Sequence, residues 1–164
     1  MISALFGAPA HYLPAFSVTD MGLVFSPEGG SARQEHQARP TRVLIVEDDY
    51  FVSMEIETVL LDMRCEVIGI AATGEEAVKL AERERPDLIL MDIRLAGKLN
   101  GIDAAMDVHT RLGIRSLFVT AHSDQETRKR GEQANPVGWA SKPFTSRQLM
   151  AAVQAALKTI NPKP

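Results

Sequence analysis

Short apolar runs alternate with helix-like patterns from residue 41 to residue 160. Most of the runs lack the alternation of a half-exposed strand, so they are typical of strands buried on both faces of a parallel sheet. Helical spacing follows each run, and connections of that length force neighbouring strands to be parallel. The pattern predicts an α/β fold with a doubly wound five-stranded parallel sheet. The five predicted strands lie in RVLIV, EVIGIA, DLILM, SLFV and, most weakly, VGWAS.

Three of the predicted helices begin at a capping box, in which Ser or Thr is followed three residues later by Glu or Gln. The fourth helix, in SDQETRKRGEQANP, has no large apolar side chain, so we expect it to pack weakly and to be mobile or ordered by a partner. The last helix is apolar along one face, which we expect to join the core. The three boxes are Thr73–Glu76, Ser123–Glu126 and Thr145–Gln148.

Composition divides the chain into one domain and an extension. Residues 1–40 of the 164 are rich in Pro, Gly, Ser and Ala without a period, which predicts a flexible N-terminal tail. Residues 41–160 form the predicted domain, and residues 161–164 are too few for an output domain.

Charge and hydropathy limit the function. The net charge of −3 gives no basic surplus, which argues against direct nucleic-acid binding. No apolar run approaches the roughly 20 residues of a membrane span. The single cysteine, Cys65, suits a reducing compartment, so we expect a cytoplasmic protein.

Polar side chains follow four of the five predicted strands; the second strand ends at Ala71. Ligands of such sheets bind at the carboxyl ends of the strands. Crowded carboxylates raise one another's pKa unless a cation neutralises them, and Mg²⁺ with oxygen ligands would do so. A lysine beside them suits a phosphate group. The polar residues are Glu47, Asp48 and Asp49 after the first strand, Asp92 after the third, Thr120 after the fourth and Lys142 after the fifth.

The motifs VLIVEDD, DLILMDI, LFVTA and SKPF resemble the receiver domain of two-component response regulators, over about residues 41–160. The resemblance implies a (βα)5 flavodoxin-like fold of the stand-alone type and makes Asp92 the phosphoacceptor. It implies that Mg²⁺ is bound directly by Asp48 and Asp92, by Glu47 largely through water, and by the backbone carbonyl of Arg94. Asp49 is more simply interpreted as a solvated or helix-capping acid.

The same resemblance assigns roles to residues of the last two strands. Thr120 and the N–H of Ala121 would hold phosphoryl oxygens, and Lys142, before a cis peptide bond to Pro143, would pair with the phosphoryl group. Thr120 and Trp139 would form the switch, although a tryptophan fixed at the surface or in a partner interface is an equal alternative. Arg94 and His122 would lie at the rim and tune access of water, or be ordinary solvated residues.

The loop after Asp92 departs from the family. The family usually has a proline four residues after the acceptor, where this chain has Ala96, and the loop RLAGKLNG is one residue longer. We therefore expect the shape of this loop to differ from the family's.

The implied function is phosphorylation of Asp92 by a sensor histidine kinase or a phosphotransfer protein. The domain would then signal through contacts with a downstream protein or relay the phosphoryl group. It would catalyse only its own phosphotransfer and dephosphorylation, so we do not expect an enzyme that acts on other molecules. Two alternatives stay open: a phosphorylation-independent interaction module, and a Mg²⁺-dependent phosphatase with an aspartyl nucleophile. Arg94 disfavours the phosphatase, which needs a second acid there. Homodimerisation is also open.

Overall fold

The computed structural model describes residues 39–121 and 124–161. The predicted tail lies outside the described residues except for Arg39 and Pro40, and of the C-terminal end only Asn161 is described. His122 and Ser123 also lie outside them.

Five strands and five helices alternate along the described chain, and a short 3-10 helix follows the fourth helix. The strands are β1 (Arg42–Val46), β2 (Glu66–Ala71), β3 (Leu88–Met91), β4 (Ser116–Thr120) and β5 (Gly138–Ser141). The helices are α1 (Tyr50–Asp62), α2 (Gly74–Glu84), α3 (Gly101–Leu112), α4 (Gln125–Gly131) and α5 (Ser146–Ile160), with the 3-10 helix at Glu132–Ala134.

The strands form one sheet in the order β2-β1-β3-β4-β5, and every pair is parallel. The chain adds β2 on one side of β1 and then β3, β4 and β5 on the other side, so the helices divide between the two faces of the sheet. The predicted doubly wound α/β fold is therefore confirmed. It places the ends of β1 and β3 side by side, which decides where the polar residues meet.

Each central strand supplies both hydrophobic cores because successive side chains point to opposite faces. Val43 and Ile45 pack with residues of α1 and α5, whereas Leu44 and Val46 pack with residues of α2 and α3. All four side chains are buried. Burial on both faces explains why these strands read as continuous apolar runs. The predicted apolar face of α5 joins the first of these cores through Leu149, Val153, Leu157 and Ile160.

The predicted helix starts are confirmed in part. Thr145 and Gln148 form a reciprocal capping box, and the side chain of Thr73 accepts from the N–H of Glu76 at 3.2 Å. The prediction that Ser123 caps the fourth helix is wrong, because Asp124 is the cap and accepts from the N–H of Thr127 at 2.9 Å. A carboxylate caps a helix as well as a hydroxyl, so the helix begins one residue later than expected.

The helix α4 is short and exposed, as its sequence predicts. Of its seven residues only Gly131 is buried. Polar contacts hold it to its neighbours, including a pair of contacts from the guanidinium of Arg130 to both carboxylate oxygens of Asp103, at 2.6 and 2.7 Å. Its position therefore depends on side-chain polar contacts more than on apolar burial.

Within the described residues, each helix is too short or too polar to cross a membrane.

Candidate functional site

Two neighbouring strands bring three carboxylates together. Glu47 and Asp48 follow β1 and Asp92 follows β3. Backbone hydrogen bonds continue beyond the strands, from Glu47 N–H to Ala71 O and from Asp92 N–H to Val46 O, both 2.9 Å. One carboxylate oxygen from each acid lies within 4.8 Å of the others. Glu47 and Asp92 are buried, and Asp48 is exposed.

Lys142 joins this cluster from the end of β5. Its backbone N–H donates to Thr120 O at 3.0 Å, which fixes it at the same edge of the sheet. Its ammonium donates to Glu47 Oε2 at 2.5 Å and to Asp92 Oδ2 at 2.9 Å. The Lys142–Pro143 peptide bond is cis, as the resemblance implied.

Burial and charge determine the protonation of this cluster. Burial raises the pKa of Glu47, and the hydrogen bond from Lys142 offsets only part of that rise. Burial alone would lower the pKa of Lys142, but the hydrogen bonds to Glu47 and Asp92 outweigh it and the pKa is raised. The ammonium of Lys142 therefore stays charged between its two acceptors. A nearby cation would favour ionised Glu47.

The donor set fits a hard divalent cation. The three acids offer only oxygen ligands, which Mg²⁺ prefers. Three carboxylates against the one ammonium of Lys142 leave an excess of two negative charges, which one divalent cation would balance. The residues that would hold it are Glu47, Asp48 and Asp92.

The carboxylate of Asp92 is held from two sides. Oδ2 accepts from Lys142, and Oδ1 accepts from the N–H of Ile93 at 2.6 Å and, at a longer 3.4 Å, from that of Arg94. Charge-assisted hydrogen bonds of this kind restrict the orientation of a carboxylate. The carboxylate of Asp92 is thus oriented and largely shielded from water.

Thr120 is the last residue of β4, which pairs with β3, and Ala121 follows it. Thr120 is buried, whereas Ala121 is exposed and lines a cavity of about 270 Å³ together with Lys142 and Pro143. Sequence reasoning therefore placed both residues at the correct edge of the sheet. The phosphoryl contacts assigned to them stay predictions.

Trp139 packs inward. Its ring lies 4.6 Å from that of Phe118, centroid to centroid, and Nε1 donates to Glu132 at 3.0 Å. The guanidinium of Arg128 lies 5.1 Å from the ring centroid. The indole adjoins the core on the α2 and α3 side of the sheet, closed by Gly131 of α4. Trp139 is therefore half-buried, and both its role as a switch and the alternative of a tryptophan fixed at the surface or in a partner interface stay predictions.

The two rim positions differ in what the structure describes. Arg94 is exposed and lines a cavity of about 410 Å³ between the β3–α3 loop and α4. His122 lies outside the described residues. Asp49 is the N-cap of α1 and accepts from the N–H groups of Phe51 and Val52 at 2.8 and 3.1 Å, which confirms that it is a capping acid.

Sequence reasoning missed one polar contact close to this site. Glu75 of α2 accepts from the N–H groups of Lys98 and Leu99, in the loop that follows Asp92. In the sequence Glu75 stands beside Glu76 in a motif that predicts only a helix start. Nothing local marks it as the partner of a loop 23 residues away.

Comparison with known proteins identifies the group that shares these features. The family model described as "Response regulator receiver domain" matches residues 43–154. "Transcriptional regulatory protein PdtaR" of Mycobacterium tuberculosis is 33% identical over 128 residues, which are 78% of this chain and 62% of the relative. "Phyllosphere-induced regulator PhyR" of Methylorubrum extorquens is 32% identical over 154 residues, which are 88% of this chain and 57% of the relative.

A solved structure shares the fold. The CheY-like response regulator receiver domain protein of Methanospirillum hungatei JF-1 has a TM-score of 0.68 and 28% identity, and the match covers 74% of this chain and 96% of that one. The chain therefore spans nearly all of an isolated receiver domain but only about 60% of the two curated relatives.

Proposed function

The chain belongs to the receiver domain family of response regulators, and from that premise we propose that Asp92 accepts a phosphoryl group from a histidine kinase or a phosphotransfer protein. The observation that carries the proposal is the buried carboxylate of Asp92, held by Lys142 and the N–H of Ile93 beside two further acids. A module that only binds partners has no need of this cluster, because crowding acids opposes folding.

The residues of the site would divide the chemistry among them. An oxygen of Asp92 attacks phosphorus in line; the bond from phosphorus to the donor's histidine nitrogen breaks, and the electron pair leaves with that nitrogen, which gains a proton from water. The product is an acyl phosphate on Asp92. Lys142, already within hydrogen-bond distance of Asp92, then pairs with a phosphoryl oxygen. The Thr120 hydroxyl and the Ala121 N–H donate to others.

Most of the rate in phosphoryl transfer comes from positioning and charge stabilisation. Bound Mg²⁺ would supply charge neutralisation at the transferring group, held by Asp48 and Asp92, by Glu47 largely through water and by the backbone carbonyl of Arg94. The raised pKa of Lys142 keeps its ammonium protonated beside Oδ2 of Asp92. In this proposal Arg94 and His122 adjust the access of water and hence the lifetime of the acyl phosphate.

The output would begin with Thr120 moving towards the phosphoryl group. Trp139 packs on Phe118 of the same strand as Thr120, so displacement of β4 would be transmitted to the indole and to α4. The phosphorylated domain would then bind a downstream protein or relay the group, in the cytoplasm, where the buried thiol of Cys65 stays reduced.

The test is the intact mass of the protein after incubation with acetyl phosphate and Mg²⁺. Wild type should gain one phosphoryl group, and chelation of the metal should prevent it. Asp92→Asn should gain none. Asp49→Asn is the matched control, because it removes a neighbouring acid that caps α1, and it should behave as wild type.

No adduct on wild type, even with a cognate kinase supplied, would refute the proposal and favour the phosphorylation-independent module. Steady release of phosphate from small phosphoesters would instead favour the phosphatase alternative. An adduct that survives in Asp92→Asn would move the acceptor to another residue.

A further inference from the structure

The loop between β3 and α3 contains Arg94, whose backbone carbonyl is a proposed metal ligand, and it has no helix or strand of its own. It leaves the sheet at Asp92, and a hydrogen bond from Gly101 N–H to Ile93 O at 2.9 Å closes its base. At its far end Ala96 forms an isolated parallel bridge with Thr73, the N-cap of α2. The loop is therefore held at two places, its base and the first turn of α2.

Glu75 makes the polar contact at that second place. Its Oε1 accepts from two consecutive backbone N–H groups, that of Lys98 at 3.0 Å and that of Leu99 at 3.2 Å. These are charge-assisted hydrogen bonds to main-chain donors, so they restrain the backbone and not only a side chain. The loop supplies the donors and α2 supplies the acceptor.

The other polar groups of the same turn are engaged elsewhere. Thr73 Oγ1 accepts from the N–H of Glu76 at 3.2 Å, and the carboxylate of Glu76 accepts from the N–H of Ala72 at 3.0 Å. Thr73 and Glu76 thus cap the helix, and Glu75 is left to bind the loop. This division of contacts gives a matched pair of neighbouring acids for an experiment.

Two glycines allow the loop to come this close. A Cβ at Gly74 would lie 2.4 Å from Leu99 O, and a Cβ at Gly97 would lie 2.9 Å from Glu75 Oε2. Gly97 also has φ of +103°, which side chains rarely adopt. Both positions therefore require glycine for the contact between Glu75 and the loop to form.

We infer that Glu75 is a positioning residue that holds the β3–α3 loop, and with it the backbone carbonyl of Arg94, in the geometry that binds the metal. The inference rests on the proposed function.

The experiment compares Glu75→Ala, Glu75→Gln and Glu76→Ala with wild type, using the full chain. Amide hydrogen exchange of Lys98 and Leu99 without metal reports the anchor, and calorimetric titration with Mg²⁺ reports the site. In Glu75→Ala the two amides should exchange about tenfold faster. Mg²⁺ should bind about tenfold more weakly, as when outer partners of metal ligands are removed.

The two other variants separate positioning from a general effect. Glu75→Gln keeps an acceptor oxygen, so it should restore most of both losses. Glu76→Ala removes an equal charge from the same turn and should leave the exchange of Lys98 and Leu99 and the affinity for Mg²⁺ near those of wild type. The midpoint of urea unfolding should change little in the two Glu75 variants, whereas Glu76→Ala should lower it because this change removes a capping contact of α2.

Each outcome decides between the claims. Unchanged exchange in Glu75→Ala would overturn the anchor. Faster exchange with unchanged affinity for Mg²⁺ would overturn the positioning role while leaving the proposed function standing. Failure of wild type to bind Mg²⁺ would overturn the positioning role together with the metal-dependent function, whereas the exchange data would still report the anchor.

Discussion

The contact between Gly131 and Trp139 gives the sharpest test of the packing around α4. Gly131 has φ of −65° and ψ of −28°, so alanine fits its backbone without strain. In an open helix the change from glycine to alanine would stabilise the protein by up to about 1 kcal/mol. The side chain, however, has no room.

An ideal Cβ at Gly131 would lie 2.5 Å from Cη2 and 2.9 Å from Cζ2 of Trp139. Carbon atoms prefer a separation of about 3.5–4.0 Å, so the ring or the helix must move by about 1 Å. Phe118 on one side and the hydrogen bond to Glu132 restrain the indole. Overpacking of this kind costs about 1–3 kcal/mol, so after subtraction of a helical gain of about 1 kcal/mol we expect a net loss of up to about 2 kcal/mol.

A double-mutant cycle with Trp139→Phe isolates the effect. Phenylalanine lacks the outer carbons of the indole that meet the new methyl group. We expect Gly131→Ala to be neutral or stabilising by up to about 1 kcal/mol in that background, so the coupling free energy should equal the overpacking cost of about 1–3 kcal/mol. Urea unfolding followed by far-ultraviolet circular dichroism measures all four proteins without using the tryptophan as the probe. An equal cost of Gly131→Ala in both backgrounds would refute this account of the packing.

Three further predictions concern charged groups. Lys142→Ala should destabilise the metal-free protein by about 3 kcal/mol, because it leaves buried carboxylates without their cation. Mg²⁺ should then raise the melting temperature of this variant more than that of wild type. Equal rises in melting temperature would contradict the view that the metal and Lys142 balance the same negative charge. Arg130→Ala removes an exposed ion pair with Asp103, so it should lower the unfolding free energy by less than about 1 kcal/mol yet accelerate amide hydrogen exchange in α4. Unchanged exchange would show that this ion pair does not hold the helix. The hydrogen bond from Arg39 lowers the pKa of Asp87, so this acid stabilises the fold above its unfolded pKa of about 3.9 and loses that effect as pH falls through the folded pKa. In urea unfolding, Asp87→Asn should therefore be less stable than wild type at neutral pH and equally stable at the acid end. A difference in unfolding free energy that is the same at every pH would contradict this linkage.

The parallel fold made most of the site predictable. Once DLILMD is recognised as a buried strand followed by an acid, the carboxyl edge of the sheet is the only place that Asp92 can occupy. The same rule places Lys142 and Thr120 at that edge without any knowledge of side-chain conformation. The apolar runs could be recognised because β1, β3 and β4 are buried on both faces, which removes the ambiguity of alternating patterns.

Contacts between distant segments could not be predicted in the same way. Ser123 and Asp124 are equally good caps by residue type, and the start of α4 at Gln125 makes Asp124 the cap. The inward packing of Trp139 depends on the space left by Gly131, eight residues earlier and in another element. A sequence pattern reports the period of one element, whereas these contacts depend on how two elements meet.

The helix α4 shows both a feature that its sequence predicts and contacts that only the structure reveals. Its sequence predicts few apolar contacts, and the structure shows which contacts replace them: Arg130 with Asp103, and Glu132 and Arg128 with Trp139. Each exposed polar pair contributes little to the free energy of folding, so several weak contacts together hold α4 in place. A displacement of β4 can change these contacts at the same time. Because Trp139 touches both β4 and α4, we expect a change at the end of β4 to alter the position of α4 before it alters the stability of the sheet.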